Sequence, residues 1–218
     1  MNKLLFIPVL TLLLIGCKAA GPETESDRSK SPWWSLEFVG PTYMIGWVEE
    51  SIIEDVKGNF FYHGGGGVVG SGDPGYATEV ARGWPHGLAG GQRAVVGASL
   101  PKRIFVRWQS VVEPQTYRGW IEIPDDARQI MHDSTNHRCS AERPARYMAS
   151  LYLGLAPGGV VQAWVRDQCH NAVKIARAQA EIEPLGPSQG KTDGRYAYKI
   201  NEETKRYIDK YGIPYGSW

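Results

Sequence analysis

LPKRIFVRWQSVVEPQTYRGWIEIP, residues 100–124, decides the fold. In its first half Ile104, Val106 and Trp108 fall on one side of an extended chain, with Arg107 and Gln109 on the other. That period of two is the signature of a half-buried strand. Phe105 breaks the pattern by placing an aromatic ring on the polar side. In the second half Tyr117, Ile121 and Ile123 oppose Arg118 and Glu122, which predicts a second strand. The segment KIARAQAEIEP, residues 174–184, repeats the alternation, with Ala176, Ala178, Ala180 and Ile182 set against Arg177, Gln179, Glu181 and Glu183. All three read as antiparallel strands.

Working outward, WWSLEFV (33–39), YMIGWVEESIIE (43–54), NFFYH (59–63), RAVVGASL (93–100), RYMASLYLGLA (146–156) and VVQAWVRD (160–167) are further strand candidates. The last two are joined by Pro157-Gly158-Gly159, a composition suited to a hairpin turn. Two short helices are expected. One opens at Pro124-Asp125-Asp126 with Ala127, Ile130 and Met131 as its apolar side. The other opens at Asn201-Glu202-Glu203, uses Tyr207, Ile208 and Tyr211, and closes at Gly212 and Pro214. The expected fold is mainly β, a β-sandwich or curled antiparallel sheet, with the second helix near the C-terminus.

The start of the chain carries an address. Lys3 is followed by an apolar run from Leu4 to Ile15, the length of a signal-peptide core and too short to span a bilayer. The run ends at Leu14-Ile15-Gly16-Cys17, which resembles a bacterial lipobox. On this reading residues 1–16 are a signal peptide and Cys17 is acylated, anchoring the protein to a lipid bilayer. Lys18 stands where an Asp would signal inner-membrane retention, so the expected location is the periplasmic face of the outer membrane. Residues 17–31 are polar and poor in core-forming side chains, a flexible tether reaching on the order of 20 Å. Residues 32–218 form the globular domain. Removing residues 1–16 takes away Lys3 alone and leaves 23 basic against 23 acidic residues. Such a balance offers nothing to a nucleic acid.

Two cysteines remain, Cys139 and Cys169, and in an oxidising compartment they are expected to pair. A zinc site using the nearby His137 and His170 is the alternative. Adjacent Cys169 and His170 fit it poorly, because neighbours on an extended chain point opposite ways. Candidate catalytic patterns fail one by one. The glycine-rich run HGGGGVVGSG, residues 63–72, has no Gly-Lys-Ser/Thr for a phosphate loop, and Asp73-Pro74-Gly75 forbids the helix a dinucleotide site needs. Ser71 lacks the nucleophile-elbow context, and no motif fixes His63, His86, His132 or His137 as its base. The neighbouring pairs Glu49-Glu50 and Glu202-Glu203 read as solvated charges. No catalytic residue, cofactor or metal is expected. The glycine run reads as a mobile loop that orders upon binding, and RGWPHGLAGG, residues 82–91, as a second adaptable loop carrying Trp84 and His86 for a partner. Glu113 and Tyr117 complete the set of candidate partner-binding residues.

The blocks Leu100–Pro124 and Tyr152–Val165 also carry a resemblance. Leu100, Pro101, Trp108, Ser110, Glu113, Tyr117 and Pro124, followed by Gly154, Pro157, Gly158, Gly159 and Trp164, resemble in order and spacing the bacterial lipoprotein family catalogued as domain of unknown function 2931. The resemblance implies a periplasm-facing lipoprotein with no assigned catalysis. Genes for such lipoproteins stand beside type VI secretion toxins, lipases especially, which implies an immunity protein that binds a toxin. A structural or assembly lipoprotein of the envelope is the alternative reading, and an undetected enzyme a third.

Overall fold

The computed structural model describes residues 34–65, 67–71, 80–81, 83–85, 87–88, 90, 93–136, 149–166 and 172–218, with backbone alone for 133–136. Cys17, the signal peptide, the tether, His86, His137, Cys139, Cys169 and His170 lie outside the described residues. In chain order the strands are β1 Trp34–Val39, β2 Gly46–Asp55, β3 Phe60–Tyr62, β4 Val68–Val69, β5 Arg93–Val95, β6 Pro101–Ser110, β7 Gln115–Glu122, β8 Ala149–Ala156, β9 Val160–Arg166, β10 Val173–Gln179 and β11 Glu181–Ile182. The helices are α1 Asp125–Asn136 and α2 Glu202–Tyr211.

These strands form two sheets. The first runs β10-β9-β8-β1-β5; the second runs β11-β7-β6-β2-β3, with β4 also on β2. The alternation seen in the sequence places Ile104, Val106 and Trp108 of β6 with Tyr117 and Ile121 of β7 on the inner face of the second sheet. Opposite them lie Trp34 and Leu36 of β1, Leu151, Leu153 and Leu155 of β8, and Val161, Ala163 and Val165 of β9 in one buried cluster. The architecture is a β-sandwich whose core is the space between the sheets. Helix α1 closes one end by adding Ala127 and Met131 to that core, whereas Ile130 of the expected apolar side is exposed.

One predicted strand divides between the sheets. β10 pairs with β9 as far as Gln179, and β11 then pairs Glu181 with Arg118 and Ile182 with Tyr117 on β7. The switch occurs at Ala180, whose N–H donates to the Gly159 carbonyl at 2.8 Å. Beyond it the alternation no longer tracks the core: Ile182 is 57% exposed while Glu183 is buried. A second departure is that β1 lies parallel to β8, with Trp34 opposite Ala149 and Val39 opposite Gly154.

The described part of the glycine run departs from the expected mobile loop. The Ser51 N–H and hydroxyl both donate to the Gly64 carbonyl, at 2.9 and 2.8 Å, and Val48 N–H donates to the Gly67 carbonyl at 3.2 Å. β4 then pairs Val68 and Val69 with Trp47 and Gly46. The glycines are required by closeness. A Cβ on Gly65 would overlap the Glu49 carbonyl, and one on Gly70, where φ is +71°, would overlap that of Met44.

Helix α2 forms as expected. The Asn201 side chain accepts from Thr204 N–H at 2.8 Å, and Gly212 at φ +70° returns its N–H to the Ile208 carbonyl at 2.7 Å. Its buried Tyr207 stacks on Tyr43 with ring centroids 4.5 Å apart, in a second cluster that includes Met44, Val112, Ala156 and the C-terminal Trp218.

Candidate functional site

The outer face of the first sheet is roofed by the segment carrying Trp84. Its ring lies over Gly154 and meets Trp164 edge-on, centroids 5.1 Å apart at 86°. Val39, Tyr152, Trp164, Leu88 and Ala172 complete this satellite cluster. Trp84 is therefore half-buried and packed, and its buried Nε1 has no hydrogen-bond partner among the described residues. Beside the aromatic rings lies a polar group. Ser35 Oγ donates to Ser150 Oγ at 3.0 Å and lies 3.4 Å from the Glu37 carboxylate, which also takes hydrogen bonds from Tyr152 and Ser150 and faces Arg166. Burial raises the Glu37 carboxyl above its ordinary range, against the opposing pull of these donors and of Arg166. Arg166 donates to the Leu88 carbonyl at 2.9 Å, tying roof to sheet.

Glu113 and Tyr117 do come together, at the β6–β7 turn. Glu113 accepts from the Gly158 N–H at 2.9 Å and from the Tyr215 hydroxyl at 2.6 Å. Burial and then the Glu113 carboxylate push the Tyr117 phenol well above the usual range, and the same causes push Tyr215 up to about 12. This clasp joins the β6–β7 turn, the Pro157-Gly158-Gly159 hairpin and the C-terminal tail. The tail also reaches Trp84's segment, since a Cβ on Gly83 would overlap the Ser217 carbonyl. The clasp joins three segments, and the roof is tied to its sheet through Arg166. Both are arrangements that hold pieces of the chain together.

The outer face of the second sheet divides into a covered and an open half. In the covered half, an irregularity between Val48 and Glu50 brings two carboxylates to one guanidinium: Arg107 Nε lies 2.9 Å from Glu49 and its Nη2 lies 2.7 Å from Glu50. Glu49 also accepts from Gln109 Nε2 at 2.7 Å and Ser188 N–H at 2.6 Å, while Gln109 Oε1 accepts from Ala197 N–H at 2.7 Å. The C-terminal segment thus lies over Arg107 and Gln109, and Tyr198 meets Trp47 at 5.6 Å.

The open half carries a row of apolar side chains across four strands. Tyr62 pairs with Ile52, Ile52 with Phe105, and Phe105 with Trp120, whose ring lies 5.4 Å from that of Phe105. Arg103 stacks over Trp120 at 4.3 Å, and Phe60 lies one pair further along β3. Exposure of 70% for Tyr62, 60% for Phe60 and 36% for Trp120 leaves the row open to solvent. Three aromatic anchors on a rigid sheet suit a protein partner better than they suit water. Sequence reasoning named none of these as a binding residue. The one signal was Phe105, an aromatic ring out of phase with its strand.

A family model described as Protein of unknown function (DUF2931) matches residues 20–216. No curated protein and no solved structure matches. The motif positions that carried the resemblance fall at structural junctions: Glu113 and Gly158 bind each other in the clasp, and Gly154 and Trp164 pack against Trp84.

Proposed function

Because the chain belongs to the DUF2931 family of proteins of unknown function, we propose that it is a lipoprotein that binds a protein partner without turnover, serving as an immunity protein against a type VI secretion toxin of the lipase kind. Acylated Cys17 holds it on the periplasmic face of the outer membrane, and a Cys139–Cys169 disulfide braces the folded domain. The observation that carries the binding reading is the solvent-exposed row Tyr62–Ile52–Phe105–Trp120 on the open half of the second sheet's outer face. A partner that covers this row gains apolar burial together with rigid aromatic anchors.

The test joins location to binding. The wild-type protein labels with palmitate and fractionates with the outer membrane, while Cys17→Ser does neither. Cells carrying the protein survive the neighbouring toxin gene, and its product binds the purified protein directly. Trp120→Ala weakens that complex by about 2 kcal/mol. Absence of both protection and binding refutes the immunity reading, and stable recovery in an envelope assembly complex instead establishes the structural alternative.

A further inference from the structure

The edge strand β3 is unguarded. Asp55 N–H donates to the Asn59 carbonyl and His63 N–H to the Ser51 carbonyl, each at 3.0 Å. Phe61 pairs with Ile53 between them. By the alternation of an antiparallel ladder, the bonded positions on β3 are 59, 61 and 63, so the N–H and C=O of Phe60 and Tyr62 point away from β2. Among the described residues nothing bonds to them. Exposed edges are ordinarily protected by Lys, by other charges or by Pro. From Asn59 to Gly72 this chain has no Asp, Glu, Lys, Arg or Pro. His63, at the end of the strand, is held toward its neutral form by burial and by the nearby Arg93.

We propose that this edge pairs with the same edge of a second copy, antiparallel about a two-fold axis at Phe61. The register follows from the outward groups. Phe60 of one copy stands opposite Tyr62 of the other, and the two such pairs exchange four backbone hydrogen bonds. An isologous contact sets each residue against its symmetry counterpart, so a charge near the axis meets its own kind. The uncharged run removes that repulsion. On the outer face each Phe60 meets a Tyr62 ring, an aromatic cross-strand pair. The two second sheets become one continuous sheet, and the two aromatic rows become one, with Trp120 open at both far ends. Arg93, which donates to the Gly65 carbonyl at 3.0 Å, caps the edge beyond Gly64 and limits the pairing to this short stretch. The proposal stands apart from the toxin-binding reading.

The full chain with Cys17→Ser tests it by sedimentation equilibrium and by amide exchange. The expected result is a weak association whose mass doubles with concentration, accompanied by protection of the Phe60 and Tyr62 amides at high concentration alone. Phe61 stays protected throughout, since its N–H faces β2. Tyr62→Pro, which deletes one outward donor, and the pair Phe60→Lys with Tyr62→Lys, which sets lysines against lysines, both give monomers. Tyr62→Thr keeps the backbone donor and retains part of the association. A monomer at every concentration overturns the proposal, and so does a dimer in which the Phe60 and Tyr62 amides exchange freely.

Discussion

The ring of Trp84 fills the space that a side chain on Gly154 would need: a Cβ there would lie 2.6 Å from its Cζ3 and Cη2, and equally close to Trp164. Tryptophan and glycine are complementary shapes across the roof of the first sheet. Gly154→Ala is therefore expected to destabilise by about 1–3 kcal/mol through overpacking. Trp84→Ala is expected to cost about 3 kcal/mol through the cavity it opens. Thermal or urea melts measure both, and an unchanged midpoint for Trp84→Ala would return the side chain to the role of a free loop anchor.

The clasp at Glu113 gives the fold an alkaline sensitivity. Tyrosine ionises near pH ~10 in an unfolded chain, whereas burial and the Glu113 carboxylate hold Tyr215 at about 12 in the fold. A raised folded pKa contributes stability that is complete below the unfolded value and lost as pH rises through the folded one. Urea midpoints should fall between those two values. Tyr215→Phe should reduce the slope without abolishing it, because Tyr117 is shifted in the same direction. A slope that is identical in Tyr215→Phe excludes this contribution.

Glu37 should behave in the opposite sense to a surface carboxylate. Its pKa is raised by burial, so the stability it contributes is present below the ordinary range near pH ~4 and is lost as pH rises through the elevated value. Glu37→Gln, which removes the charge and keeps a carbonyl acceptor, is expected to melt higher than wild type at neutral pH. The advantage should vanish in acid. A variant that is less stable at neutral pH would show that Ser35, Ser150, Tyr152 and Arg166 more than offset the desolvation.

Glu49→Ala should release the C-terminal segment from the second sheet. The carboxylate holds Arg107, Gln109 and the Ser188 N–H together, and its loss leaves buried donors without acceptors. A cost of about 3 kcal/mol is expected. Trypsin should then cut at Lys191 and Arg195 faster than in the wild type, and equal cutting rates would mean that the segment is held elsewhere.

Where one face of a strand meets the core and the other meets water, the sequence is readable. Ile104, Val106 and Trp108 went inward as their spacing requires, and α2 was marked by its cap, its tyrosines and its closing glycine. Where a third layer covers the outer face, polarity misleads. Arg107 and Gln109 read as solvated yet are buried, because the covering segment is some eighty residues away in sequence. Periodicity also assumes one sheet per strand, so it carried Ile182 inward past the switch at Ala180. Glycine content told of freedom, whereas Gly65 and Gly70 serve proximity to neighbouring carbonyls. The aromatic row needed the cross-strand register of Tyr62, Ile52, Phe105 and Trp120, which no local window contains.

The parallel seating of β1 on β8 sets an order in time. Ser35 and Ser150 touch although 115 positions separate them, and β1 is a central strand of its sheet with β8 on one side. Hairpins such as β6–β7 can close as soon as they are made, but Trp34 and Leu36 find their cover only after residue 156 has appeared. Loop closure of that length must be completed before its contacts repay it, which places such a topology among slow folders, on the order of milliseconds to seconds. A chain still emerging from a ribosome therefore keeps its first strand waiting, and the native state arrives as a post-synthetic event that depends on the second half of the molecule.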